Sequence, residues 1–414
     1  MSFMTSYHFV VKNIALTFLF LSFWGCKTPP KESLEEGTFV ALQFESLRAH
    51  GDDAEENGTT TPNTDIEHKE DAIKELRVIL YPTGVDTPVF NQKFAEQELS
   101  SQRVVFKLKD FKHYDFYFIA NESASNQSDT DLAFLKSNTL NRRQLEEFSN
   151  VKIESLVHPN KQFTGKEDYI MMTACYKNIL LSKSLQGSGS ASNPYIVDFT
   201  IPNKAQRPII RSSSRQAVEM MRSLAKLELL FKGMVHIIPT GRKTYQYRWV
   251  LPYGFLDNTH LSIAVLNMPK SYTLFPKGFP TDIVQTGKVV NYTFDFSEAP
   301  EKENIVFPNN IREIPIGGVL RGDYKLTIYL PEYLTSSSLA YQERPGIQIS
   351  YYTRDEPNMQ TRFYPMQNSQ TPTHYEQVLQ ALIDRPEWNV YRNRFYRITV
   401  EIQGRDFIGG IELT

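Results

Sequence analysis

The stretch Thr38-Phe-Val-Ala-Leu-Gln-Phe-Glu-Ser-Leu47, followed by Arg48, decides how this chain is read. Val40, Leu42 and Phe44 recur at every second position, so an extended backbone puts all three on one face. Ala41 and Gln43 stand between them. After Arg48 the character changes at once, to Ala49-His-Gly-Asp-Asp-Ala-Glu-Glu56 and on to Pro62. A strand of core quality is thus followed by a long acidic loop, with a basic residue at the junction. Exposed polar loops of this kind are where proteases cut. A cut after Arg48 would leave the strand held by packing alone and would make Ala49 a new N-terminus.

The chain of 414 residues suggests two or three domains, with ample length for real cores. A net charge of −2 argues against a nucleic-acid binder that works by neutralising phosphate. Aromatic residues make up 13 %, mostly Phe and Tyr, which suits half-buried strands. There are two cysteines, Cys26 and Cys175. One falls in the leader region, so no disulfide framework is expected.

The leader itself is informative. Lys12 precedes a short apolar run, Ile14–Trp24, and Gly25-Cys26 follows. That run is too short for a bilayer, which needs about 20 residues. A short apolar segment ending in a small residue and Cys reads as a lipoprotein signal over residues 1–25, with Cys26 as the lipidated N-terminus. An ordinary secretory signal with an incidental cysteine is the other reading. Residues 26–48 then form a propeptide: a polar tether, Lys27–Glu36, and the removable strand.

Beyond the acidic loop the chain breaks into short extended runs. Lys74–Tyr81, Arg103–Lys109 and His113–Ala120 are expected strands, the last two as a hairpin. Leu140–Phe148 is expected as a short helix capped by Asn141. Lys152–Leu156, Tyr169–Thr173 and Tyr195–Ile201 are further strands. In the second half, Arg222–Phe231 follows a short helical stretch. Leu261–Asn267, Val289–Phe296, Tyr324–Leu330, Gly346–Tyr352 and Arg394–Ile402 are strands, and His374–Ile383 is a helix. Many short strands between Gly, Pro, Asn and Asp loops mean an all-β protein of two tandem β-sandwich domains with a few short helices. The division is set at residue 205, giving an N-terminal domain 49–205 and a C-terminal domain 206–414.

Several pieces, taken in order, resemble the fimbrillin superfamily of Bacteroidales. They are Gly25-Cys26; the first strand ending in Leu47-Arg48-Ala49; Lys74–Tyr81; Asp115–Glu122 with its Ala120-Asn121; Met171-Met-Thr173; Arg222–Lys226; Leu266–Pro269; Tyr329–Glu332; and Asn393–Gly404. Each is weak alone, and together they cover nearly the whole chain. The resemblance implies transthyretin-like sandwiches and a lipoprotein precursor carried to the cell outer membrane. It also implies an arginine-specific protease that removes the first strand, and assembly with other fimbrial subunits by strand exchange into a surface fimbria involved in adhesion. Host or bacterial surface ligands would be further partners. A surface glycan-binding outer-membrane lipoprotein is the alternative reading.

Signals for other chemistry are few. No metalloprotease, P-loop, dinucleotide or nucleophile-elbow pattern is present, and the eight histidines are scattered. No catalytic residue, cofactor, metal or nucleic-acid partner is expected. Gly187-Ser-Gly-Ser190 reads as loop, and Cys175 as a buried structural thiol. Arg321-Gly-Asp323 matches a cell-adhesion tripeptide and reads equally as a turn into the strand Tyr324–Leu330. Trp249 and Trp388 suit core roles. The tail after Gly404 is short for reaching a neighbour, and Gly409-Gly410 would pack poorly in a slot shaped by Val40, Leu42 and Phe44. The tail is therefore expected to pair within its own domain, which favours a tip or minor subunit over a stalk subunit.

Overall fold

The computed structural model describes residues 37–46, 72–99, 102–123, 132–148, 151–152, 169–199, 217–242, 244–250, 261–269, 271–276, 289–295, 305–307, 318–334, 340–351, 358–366, 390–403 and 406–412. Among these the protein is all-β, with a single short α-helix. The first elements are β1 (Thr38–Ser46), β2 (Glu75–Pro82), β3 (Phe90–Ala95), β4 (Arg103–Leu108) and β5 (His113–Ala120). Then come α1 (Arg142–Glu147), β6 (Val151–Lys152), β7 (Met172–Leu180), β8 (Tyr195–Ile196) and β9 (Val218–Arg222). These are followed by β10 (Leu224–Phe231), β11 (Met234–Gly241), β12 (Thr244–Val250), β13 (Leu261–Pro269), β14 (Ser271–Tyr272) and β15 (Val289–Asp295). The remainder are β16 (Ile305–Val306), β17 (Val319–Arg321), β18 (Asp323–Pro331), β19 (Gly346–Tyr351), β20 (Gln360–Pro365), β21 (Phe395–Gln403) and β22 (Asp406–Glu412).

The first sheet runs β3-β2-β5-β7-β9-β1-β4, with β8 also on β1. Its outer strands come together: Phe90 of β3 stacks on Phe106 of β4 with ring centroids 4.4 Å apart. The sheet thus wraps round one core, to which β1, β2, β4, β5, β7 and β9 all contribute. The second half holds a five-stranded sheet, β16-β18-β10-β21-β22, and a four-stranded one, β15-β13-β19-β20. Leu227, Leu229, Ile263, Ile328, Ile347 and Ile398 meet in the core between them, and Trp249 is buried there.

Most of the expected strands are present with ends shifted by a residue or two. Where a short helical stretch was expected just before Arg222, Val218–Arg222 is strand β9, buried throughout. The Val-Glu-Met-Met run supports either state by propensity, and sheet pairing decides it. Only Ser223 separates β9 from β10, so the change from first to second sheet occurs within one run of chain. The expected helix His374–Ile383 and the division at residue 205 lie outside the described residues. Strands β3, β11, β12, β14, β16, β17 and β20 were not anticipated. In β3 the only apolar pair is Phe90 and Phe94, and β11 carries Pro239 and Gly241, so neither shows a full alternating pattern.

The two halves also share a core. Ile79, Tyr81, Tyr117, Leu135, Leu145 and Met171 are buried against Leu224, Tyr272, Leu274, Phe275 and Tyr329. β6 pairs with β14 across this junction. Asn141 caps α1 as expected, its side-chain oxygen accepting from the Arg143 and Gln144 backbone N–H groups. That places Leu145 in the shared core.

Candidate functional site: the slot of the first strand

β1 lies inside the sheet, not at its edge. On one side it pairs antiparallel with β4, from Thr38 opposite Leu108 to Gln43 opposite Arg103. On the other side it runs parallel to β8, with Val40 beside Tyr195 and Ala41 beside Ile196. Farther along it runs parallel to β9, from Phe44 beside Val218 to Ser46 beside Met220. Val40 and Leu42 are wholly buried and Phe44 is 2 % exposed, all three in the first core. The three residues singled out from the sequence therefore sit together as anchors of one strand. Two features were not legible: the parallel pairing with β9, more than 170 residues downstream, and the wholly buried Ala41.

The N-terminal end of β1 is clasped by the loop before β8. Phe39 N donates to Gly189 O at 3.0 Å, and Val197 N donates to Ala41 O at 3.0 Å. The loop is tied to itself by Ser188 N to Asn193 O and Asn193 N to Ser190 O, and to β8 by Ile196 N to Gln186 O. Gly189 has φ +74°, a conformation that glycine adopts without strain. A Cβ there would lie 2.4 Å from Thr38 Cγ2 and 2.6 Å from the Tyr195 ring, so the backbone can approach β1 only as glycine. The Gly187–Ser190 segment is thus a loop, as expected, and it shapes the mouth of the slot.

β1 ends at Ser46 in the described chain. Arg48 and Ala49 lie just beyond it, and Cys26 lies before it; all three are outside the described residues. Arg77, the arginine within the next strand, is in a different setting. It is 5 % exposed, donates through Nε and Nη2 to the two carboxylate oxygens of Glu122 at 2.7 and 2.8 Å, and reaches Asn91 Oδ1 through Nη1 at 2.9 Å. Burial raises the Glu122 carboxyl pKa, but Arg77 and Lys93 outweigh that and hold it below its ordinary value.

Other side chains that could carry function are engaged in structure. Cys175 is buried and unbridged, and burial pushes its thiol up to about 12. In Arg321-Gly-Asp323, Gly322 is packed under Val235, its carbonyl accepts from Trp249 Nε1, and Asp323 pairs with Lys232 at 2.6 Å. The tripeptide is built into strands β17 and β18 and is not a presented loop. Among the described residues no His, Cys, Asp and Glu cluster could hold a metal ion. No described helix is long and apolar enough to cross a membrane.

The C-terminal tail forms β22, which lies antiparallel along β21 from Gln403 opposite Asp406 to Arg397 opposite Glu412. It pairs within its own half, as expected.

Comparison with solved structures finds similar chains at low sequence identity. Three of them are described as fimbrial proteins. One is the tip fimbrial protein Mfa3 from Porphyromonas gingivalis with a C-terminal truncation: 14 % identity, 91 % of this chain and 99 % of that one covered, TM-score 0.48. A second is the fimbrilin FimA from Porphyromonas gingivalis W83: 9 % identity, 88 % and 90 % covered, TM-score 0.43. A third is the fimbrial anchor protein Mfa2 from Porphyromonas gingivalis: 8 % identity, 91 % and 98 % covered, TM-score 0.36. No family model matches the chain, and no curated protein matches it.

Proposed function

We propose that this protein is a structural subunit of a surface fimbria whose first strand is a removable plug. It is made as an outer-membrane lipoprotein through Cys26, is cut after Arg48 by an arginine-specific protease, and then takes a strand from another subunit in place of β1. The observation that carries this reading is β1 itself: an N-terminal strand, buried and paired on both edges, just ahead in sequence of an arginine and a polar, acidic stretch.

The energetics fit a switch. Burying Val40, Leu42 and Phe44 is worth about 1.5–3 kcal/mol each. Their sum is comparable to the net stability of a typical domain, about 5–15 kcal/mol. With β1 gone, β4 on one side and β8 and β9 on the other would present unpaired backbone along an apolar trough. Such edges select for an added strand. While the chain is uncut, β1 occupies that place at very high effective concentration and other strands are kept out.

The reading includes a tip or minor position in the fimbria, supported by the pairing of the C-terminal strand. β22 is engaged along β21 within its own half, which supports an acceptor role. The test is to cut the purified chain after Arg48 and mix it with the other fimbrial subunits of the same cell. Complexes that survive without boiling should form with cut protein only. Equal complex formation by uncut protein would sink the plug reading.

A further inference from the structure

β1 does more than fill a place between walls that stand by themselves. In the first sheet β3, β2, β5 and β7 pair with one another in series, independently of β1. The elements beside β1 are in a different position. β4 lies at the end of the sheet, and its ladder partner is β1 alone, from Arg103 opposite Gln43 to Leu108 opposite Thr38. β8 likewise pairs with β1 alone. β9 is divided: Met221 and Arg222 pair with β7, whereas Val218–Met220 pair with β1 only. Among the described residues, β1 is thus the sole ladder partner of β4, of β8 and of the start of β9.

Apart from β1, what fixes these pieces to the rest of the first half is chiefly side chains. Val104, Phe106 and Leu108 of β4, Val197 and Phe199 just after β8, and Val218 and Met220 of β9 lie in the core that Val40, Leu42 and Phe44 complete. Phe106 stacks on Phe90, and Glu219 N donates to Tyr176 Oη at 2.9 Å. If β1 is taken away, each piece keeps the entropy cost of an ordered backbone, loses its ladder and loses part of its packing surface. Even a lone pair of strands is marginal in water, and a strand with no ladder partner is less than that. The walls are built on β1 as much as β1 is held by the walls.

We propose that cutting does not empty the slot. The cut N-terminal fragment stays in place as a holder, and a strand from a second chain drives it out by direct exchange. Each backbone partner passes from β1 to the incoming strand as β1 peels away. This inference rests on the plug reading above and adds the order of events to it: the incoming strand binds before β1 departs. A subunit with no occupant lies off this route, because β4, β8 and Val218–Met220 would have to come loose together and form again. The partner is an extended segment that adds by backbone pairing, antiparallel to β4 and parallel to β8 and β9. It meets a folded, cut subunit and not an open groove.

The experiment uses the full chain cut after Arg48, with the departing fragment followed by size-exclusion, and a fluorescent peptide of residues 37–46 as the incoming strand. In buffer alone the fragment should leave slowly. With peptide in excess it should leave at a rate that rises with peptide concentration, roughly tenfold for each tenfold increase below saturation. Peptide uptake should keep pace with fragment loss, and a scrambled peptide of the same composition should leave the release rate unchanged. A rate that is the same at every concentration of the parent peptide, with peptide entering at that rate, would mean that an empty slot forms first. That would overturn the order of events and leave the plug reading standing. No release and no uptake at any concentration would overturn both.

Discussion

Phe44 of β1 stands in parallel register beside Val218 of β9, which ties the N-terminal strand to a segment that continues through Ser223 into the second sheet. The first strand is thus held by residues from both ends of the N-terminal half and by the start of the next. Its removal would touch β9, the strand that leads into β10.

The anchors should dominate the stability of the first half. Leu42→Ala should cost about 2–5 kcal/mol, because a wholly buried side chain is replaced by a cavity. Gln43→Ala, on the exposed side, should change stability by less than about 0.5 kcal/mol. Denaturant unfolding of the uncut chain measures both. Equal effects from the two would mean that β1 is not seated as described.

Processing should discriminate between two arginines. An arginine-specific protease should cut after Arg48 and spare Arg77, whose guanidinium is buried on Glu122 within β2. Arg48→Ala should leave a folded, full-length chain that keeps its lipid at Cys26 and fails to enter fimbriae. Mass spectrometry of the N-terminus reads the cut site, and finding it at Arg77 would contradict the structure.

The clasp should control how long the cut strand stays. Gly189→Ala puts a methyl group against Thr38 and strains a residue at φ +74°. The cut fragment should then leave several-fold faster than from the parent chain, as followed by size-exclusion of the cut protein over time. An unchanged release rate would remove the loop from the account.

Much of this was legible in the sequence, for identifiable reasons. The period-two pattern of Val40, Leu42 and Phe44 is enough to predict a one-sided core strand. Several motifs that carried the family resemblance contain an asparagine at positive φ: Asn121, Asn267 and Asn393. The Asn121 side chain accepts from Lys74 N and donates to Ala72 O and Ile170 O, tying β5 to its neighbours. Asn267 donates to Gln342 O and Arg344 O beside the irregularity in β13. Asparagine tolerates that backbone and can bond from it, so these positions leave a readable mark. What could not be read is long-range pairing. Nothing in Val218–Arg222 says that it lies beside β1, and nothing in the Ala41 side chain announces that it is wholly buried.

The Arg77–Glu122 pair should make the first half acid-sensitive. The Glu122 pKa is lower in the folded chain than in the unfolded one. Its contribution is therefore present above the unfolded value and is lost as pH falls through the folded value. Glu122→Gln should flatten that acid limb. It should also cost about 3–5 kcal/mol at neutral pH, because Arg77 is left buried without its partner charge. Unfolding midpoints of parent and variant across the acid range give the answer, and parallel curves would reject the linkage.

The tail bears on position in the fibre. Deleting residues 405–414 removes β22 and leaves the β1 slot untouched. The shortened chain, once cut, should still be taken up by other subunits. Loss of uptake by a variant that remains folded would make the tail a donor and remove the tip assignment.

The central claim is that β1 must leave. Gln43 and Arg103 are antiparallel partners on β1 and β4. Such residues lie about 4.5–5.5 Å apart between Cα atoms, within reach of a disulfide. A Gln43→Cys, Arg103→Cys chain, oxidised and then cut after Arg48, should keep its N-terminal fragment and form no complex with other fimbrial subunits; reduction should restore both release and assembly. Assembly of the oxidised, locked chain as readily as the reduced one would contradict the account.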